Sequence, residues 1–328
     1  LTLLGEAIVV QCAVVSEQGE DSFAMCELAG GTLLCVTDGC GGLGSRRYES
    51  LDGRTGAYLA SRLAARTMQN WAEERMQVPV TAAQGQQMLE ELQQDFQEVL
   101  SSFAKKYCED AGVRIVGSMQ RVLPTTLCAA MAEAQGQHPA CCMIWAGDSR
   151  GYTLDENGLH QHTVDDVRGE HDAFDSLYLD LPLSNFLSAD KPVQLHMRRF
   201  PLAKQGMLIC ATDGVYSAIA NPMELEMLLL DAMQRAKDSA RWQKRVETQL
   251  RSVVQDDATL LCCPYGFDHY DAMKQYFAPR HERLKRAFIT PVRRKKRDHE
   301  AVRGYWLAYA KDYNRMEETE HDGQDWRI

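Results

Sequence analysis

The chain has 328 residues, 45% of them hydrophobic and 25% charged, which is enough apolar material for one large core and an addition to it. A net charge of -10 argues against general nucleic-acid affinity, and no apolar run approaches the roughly 18 residues that would suggest a membrane span. Eleven cysteines, an odd number with no Cys-x-x-Cys, point to small buried hydrophobes in a reducing cytoplasm, not to a disulfide framework or a zinc site.

The opening Leu1-Thr2-Leu3-Leu4-Gly5-Glu6 lacks a basic flank, so no signal peptide is expected. Residues 7–15 are β-branched and apolar and predict a buried strand. After Glu20-Asp21, two apolar runs at 23–28 and 32–37 flank Ala29-Gly30-Gly31 and predict a hairpin. The second run, Thr32-Leu33-Leu34-Cys35-Val36-Thr37, ends abruptly at Asp38, and Gly39-Cys40-Gly41-Gly42 follows. A buried strand can deliver a carboxylate to a sheet edge in this way, and the glycines then let the backbone approach a ligand closely.

From Thr55 the spacing turns helical, with Tyr58, Leu59, Leu63, Met68 and Trp71 on one stripe. A second helix is predicted over about 81–107, with Met88, Leu89, Leu92, Phe96, Leu100 and Phe103 facing a core. Residues 108–122 read as a loop. Strands resume at 125–132 and 138–146, and Gly147-Asp148-Ser149-Arg150 leads into a hairpin turned at Asp155-Glu156-Asn157-Gly158. Residues 164–192 are polar and crowded with Asp165, Asp166, Glu170, Asp172 and Asp175. His160, His162 and His171 are not taken as metal ligands, the first two being expected to face solvent in the hairpin. Residues 207–212 predict a central strand ending at Asp213-Gly214, and helices are expected at 222–233 and 241–253. A last strand over 259–263 begins just after Asp256-Asp257.

Acids at four strand ends, distant in sequence, are what an oxygen-lined site for hard divalent cations requires. The order Gly19-Glu20-Asp21, Asp38-Gly39-Cys40-Gly41-Gly42, Thr125-Thr126, Gly147-Asp148-Ser149-Arg150, Asp213-Gly214 and Asp256-Asp257-Ala258-Thr259 resembles the type-2C metal-dependent Ser/Thr protein phosphatases, particularly bacterial ones. The resemblance runs from about residue 6 to 264. It implies an α+β, four-layer α/β/β/α sandwich with two central, mostly antiparallel sheets. The domain would occupy 1–265, with a helical extension over 266–328. In that extension the spacing of Val302, Trp306, Tyr309 and Tyr313 gives an aromatic helix face that must pack on its own domain or on a partner. The basic run at 293–297 reads as a solvated connector, a docking strip for the acidic domain, or a nucleic-acid or nuclear-import patch.

The implied chemistry is hydrolysis of phosphoserine and phosphothreonine by a metal-bridging hydroxide, with Mn2+ or Mg2+ as cofactor, two ions or three. Asp38 would bridge the two cations, assisted by the Gly39 carbonyl. Asp213 and Asp256 would complete one position, and Glu20 and Asp21 would serve the other. Asp38 and Asp213 would be the acids on which catalysis depends. Asp148 either contributes to an additional position or caps a turn. Asp257 is assigned a supporting role, Arg150 a structural ion pair, and residues 164–192 either a flap beside the site or an ordinary loop. Expected partners are phosphorylated proteins and a Ser/Thr kinase or its targets, without membrane or nucleic acid. Three positions depart from the family pattern. Cys40 stands where many relatives carry histidine, Ser16 where an arginine holds phosphate, and Ser217 where an acid is common. Arg46 or Arg47 is the proposed substitute for the arginine. The departures define the rival expectation, a pseudophosphatase that binds a phosphoprotein or a kinase.

Overall fold

The computed structural model describes residues 7–75, 82–108, 121–133, 139–169, 172–174, 181–295, 298–313 and 326–327. Glu170, His171 and Asp175, most of the loop expected over 108–122, and the end of the basic run at 296–297 lie outside the described residues.

Two sheets form the centre, and every described strand pair in them is antiparallel. One has the order β1 (Ile8–Cys12), β12 (Ala258–Tyr265), β11 (Gly206–Ala211), β8 (Arg150–Leu154), β9 (Leu159–Gln161). The other runs β13 (Trp326–Arg327), β10 (His196–Pro201), β7 (Ala140–Ala146), β6 (Leu127–Glu133), β3 (Gly31–Thr37), β2 (Ser22–Leu28). A short separate hairpin, β4 (Arg47–Tyr48) and β5 (Arg54–Thr55), precedes the first long helix.

Side-chain alternation along the strands sets the layers. In β3, Leu34 and Val36 meet Cys128 and Ala130 of β6 and Leu208, Cys210, Leu261 and Cys263 of the opposite sheet. Their neighbours Leu33 and Cys35 face α1 (Gly56–Arg75) and α2 (Ala82–Phe103). On the other side Ile209, Leu260 and Cys262 pack under α4 (Pro222–Arg235) and α5 (Ser239–Arg251), which follow the one-turn helix α3 (Asp213–Tyr216). Strands buried on both faces read as nearly continuous apolar runs, which is why they are visible in the sequence. Asn221 and Asp238 cap the last two helices, accepting from the amides of Glu224 and Arg241 at 3.0 and 2.8 Å.

Between Gly266 and Tyr313 the described residues are mainly helical: α6 (Tyr270–Leu284), a five-residue wide turn, α7 (Thr290–Arg294) and α8 (His299–Tyr313). Its aromatic face packs on its own chain. Phe277, Trp306, Tyr309 and Tyr313 join the same apolar cluster as Met233 and Trp242. Arg280, almost fully buried, grips Glu226 of α4 with two bonds of 2.5 and 2.8 Å, and Tyr309 donates to the same carboxylate at 2.5 Å. Arg293 of the basic run pairs with Glu224 at 2.6 Å, so that part of the run docks on the domain.

Two expectations need correction. His160 and His162 do not face solvent; they are 6% and 2% exposed. The end of the hairpin is covered by the C-terminal helix, where His160 Nδ1 meets the Asp312 carbonyl, and by β10, where the His162 ring stacks on Phe200. Strand β10 itself was not anticipated, although Val193, Leu195 and Met197 alternate toward the core. Interposed arginines at 198 and 199 hide the pattern. Among the described residues no helix is long and apolar enough to cross a membrane.

Candidate active site

Antiparallel register brings the acidic strand ends to one edge. Thr37, the last residue of β3, pairs with Ser22 at the start of β2, so Asp38 lies beside Glu20-Asp21. Val36 pairs with Cys128 and Leu127 with Ala146, which brings the end of β7, and hence Asp148, to the same end. In the facing sheet Ala211 pairs with Leu260, so Asp213 and Asp256-Asp257 emerge together there.

Local hydrogen bonds then fix each acid. Thr125 Oγ1 and Thr126 N donate to the Asp38 carbonyl at 2.7 and 2.8 Å, and Asp38 N donates to Thr126 Oγ1 at 3.1 Å. Thr212 Oγ1 donates to Asp21 Oδ2 at 2.8 Å while accepting the Thr259 amide at 2.9 Å. Asp257 accepts the amides of Val14 and Glu20 at 2.8 and 2.7 Å, the supporting role expected of it. Thr55 Oγ1 donates to Glu20 Oε1. Asp256, at the exposed rim, accepts the next amide at 2.8 Å. The Gly39 backbone is wedged so closely that a Cβ there would lie 2.4 Å from the Ala57 carbonyl oxygen.

The corner at Asp148 is held from both sides. Gly147, at φ +99°, donates its amide to Asp166 Oδ2 at 2.9 Å, and Tyr216 OH donates to the Asp148 carbonyl at 2.9 Å. Arg150 forms the structural ion pair expected of it, with Asp165 at 2.6 Å. The acidic stretch after residue 164 thus contributes directly to the frame of the site.

The electrostatics are those of crowded acids drawn out of water. Asp38 is a close electrostatic neighbour of both Asp21 and Asp213. Burial, then the charges of Asp213 and Asp21, push Asp38 well above the usual carboxylate range. Burial raises Asp21 to about 7 against the opposing hydrogen bond from Thr212, and raises Asp213 against the bond to Asp38. Asp148 is driven up by burial, then by Asp213 and Asp165, and Glu20 by burial. Asp21 Oδ1 is buried without a hydrogen-bond partner. Among the described residues no group of three His, Cys, Asp or Glu side chains is already spaced as a cation cage. The donor set still fits a hard divalent cation: it offers carboxylates and one backbone carbonyl, an unpaired buried oxygen, and repulsion that such an ion relieves.

The family description Protein phosphatase 2C matches residues 11–255, three quarters of the chain, including Glu20, Asp21, Asp38, Asp148 and Asp213, with Asp256 and Asp257 just past its end. The chain belongs to the protein phosphatase 2C family. Its activity class is therefore that of the serine/threonine protein phosphatases. No curated protein sequence matches the chain. The fold is similar to that of the Mycobacterium tuberculosis serine/threonine phosphatase PstP/Ppp, at 16% identity over 80% of this chain and 98% of that one, with a TM-score of 0.56. Staphylococcus aureus serine/threonine phosphatase Stp1 gives 16% identity, 80% and 95% coverage and a TM-score of 0.58. The PstP catalytic domain in complex with two manganese ions gives 16% identity, 79% and 99% coverage and a TM-score of 0.50.

Against the phosphatase 2C pattern, Cys40 sits beside the acids with its thiol pushed up by burial and by Asp148 and Asp213, so it stays protonated at neutral pH. Arg47 donates to the Gly53 carbonyl at 2.9 Å, and its charge acts on Glu20; Arg46 lies over the Tyr48 ring at 5.2 Å. Ser217 donates its amide to the Asp213 carbonyl at 2.8 Å and closes a helical turn. Sequence reasoning missed Asp166, Tyr216 and Thr55 as supports. Their partners lie 19, 68 and 35 residues away, and no local pattern announces such pairs.

Proposed function

We propose that this chain hydrolyses phosphoserine and phosphothreonine in proteins with the help of Mn2+ or Mg2+. The observation that carries the reading is the convergence of Glu20, Asp21, Asp38, Asp148, Asp213 and Asp256 from strand ends of the two facing sheets, with one buried Asp21 oxygen left unpaired. Asp38, the Gly39 carbonyl, Asp213 and Asp256 would hold one ion, Glu20 and Asp21 a second, and Asp148 an additional one. Bound there, the cations supply Lewis acidity toward the phosphate and lower the pKa of water. The two manganese ions of the PstP catalytic domain support this choice of metal.

The chain's own residues do the rest. Asp38 and Asp213 would supply the negative charge that keeps cations in place, and Asp257 fixes the backbone of Glu20 by accepting its amide. Arg47, exposed and with its charge acting on Glu20, or Arg46 beside it, would meet the phosphate. No nucleophilic cysteine is needed. The phosphorylated substrate would come from a Ser/Thr kinase, and the eleven free thiols suit a reducing cytoplasm.

The test is hydrolysis of p-nitrophenyl phosphate in metal-controlled buffer. We expect a manganese requirement and a loss of at least about a hundredfold in Asp38→Asn and Asp213→Asn. Undiminished turnover by either variant would overturn the metal reading. Manganese binding without any turnover would favour a pseudophosphatase.

A further inference from the structure

Helix α8 reaches the Asp148 corner through a continuous run of side chains. Tyr313, only 1% exposed, donates its hydroxyl to Gln161 Oε1 at 2.6 Å. The Gln161 amide donates to the Thr163 carbonyl at 2.8 Å and reaches Asp165 Oδ1 at 3.5 Å. Asp165 accepts from Arg150 Nε at 3.0 and 3.2 Å and from Nη2 at 2.6 Å. The Arg150 guanidinium lies 3.7 Å over the Tyr216 ring, and the Tyr216 hydroxyl holds the Asp148 carbonyl at 2.9 Å. The same helix also holds residues near the acidic stretch. Trp306 Nε1 donates to Asp172 Oδ2 at 3.0 Å, and its ring stacks on Phe174.

We propose that Tyr313, acting through Gln161, Asp165, Arg150 and Tyr216, is a positioning residue for Asp148. Helix α8 thereby sets how well that carboxylate takes up a divalent cation. The inference rests on the reading of Asp148 as an acid of the cation site.

Packing alone needs only the Tyr313 ring, which already meets Trp306 and Tyr309 at 5.2 and 5.9 Å. The hydroxyl serves the relay. Arg150 is 1% exposed, and a charge taken out of water to that degree is tied to its carboxylate, so the orientation of Asp165 is transmitted to the guanidinium. Tyr216 is clamped between that guanidinium and the Asp148 peptide. Asp166 pins the other flank through Gly147, so the Asp148 peptide is held from both sides.

The experiment is a calorimetric manganese titration of the full chain, with circular dichroism to confirm folding. It compares the unaltered protein with Tyr313→Phe, Tyr216→Phe, Asp148→Asn and the double variant Tyr313→Phe/Asp148→Asn. Partners that orient a metal ligand typically change affinity by about 10- to 100-fold. We expect the weakest manganese site to lose about tenfold in Tyr216→Phe and about threefold, by the same scale, in the more remote Tyr313→Phe. In the Asp148→Asn background the Tyr313→Phe change should add nothing. Unaltered binding in Tyr313→Phe, or an equal loss in the Asp148→Asn background, would overturn the positioning role while leaving the cation site intact. Absence of manganese binding by the unaltered protein would overturn the cation reading and this inference with it.

Discussion

At the scale of single residues, the site is a set of carboxylates brought together against their own repulsion. Every shift in the cluster has burial as its first cause and raises the carboxyl, so in metal-free protein these groups hold protons that the unfolded chain would release. Between the unfolded value of 3.8 and the folded value of about 7 for Asp21, the native state binds more protons. Stability of the metal-free protein therefore falls as pH rises through that window and levels off above it. We predict higher melting temperatures near pH 5 than near pH 8 in chelator, with the difference removed by manganese. A flat profile in chelator would show that the acids are not crowded. Glycine carries a second residue-scale prediction. A Cβ at Gly214 would lie 1.9 Å from the Asp257 carbonyl oxygen, whereas Gly42 has nothing within 4 Å. Gly214→Ala should cost about 1–3 kcal/mol in urea unfolding, and Gly42→Ala should be near neutral. The acids themselves were legible because each follows or precedes an apolar run. The hydroxyls and acids that hold them were not, because Thr212 meets Asp21 across 191 residues of chain.

At the scale of elements, the strands buried on both faces and the two capped helices were plain in the sequence, and β10 was not. Its polar positions at 198 and 199 break the apolar run, yet Arg199 is satisfied by Glu133 at 2.7 Å and Arg198 is 4% exposed. A tertiary pairing that neutralises a charge leaves no local trace. The same reason concealed the anchor between α4 and α6. Glu226 is fully buried, and Arg280, Tyr309 and the Leu159 amide all point to it. Arg280→Met leaves that carboxylate without its guanidinium and should destabilise by about 3–5 kcal/mol in chemical unfolding. A loss below about 1 kcal/mol, within the range of a surface pair, would show that the anchor is only geometric.

At the scale of the molecule, the four layers share their cores with the C-terminal helices. Residues 266–328 were marked as an extension by a shift in composition, which sees charge but not where an aromatic face comes to rest. Met273, Phe277, Leu284, Trp306, Tyr309 and Tyr313 are all buried in the cluster that includes α4 and α5. Each such burial is worth about 1.5–3 kcal/mol, so their sum is of the same order as the roughly 5–15 kcal/mol that holds a typical protein folded. We predict that a chain ending at Gly266 loses cooperative thermal unfolding. A truncated protein melting like the full chain would show that the extension is separable.

The central claim concerns the acidic edge, and phosphate release from a phosphothreonine peptide by the full chain tests it most directly. With manganese, we predict sustained release that chelator abolishes and that Asp38→Asn removes. Release that continues undiminished in chelator, or none from folded, manganese-loaded protein, would contradict it.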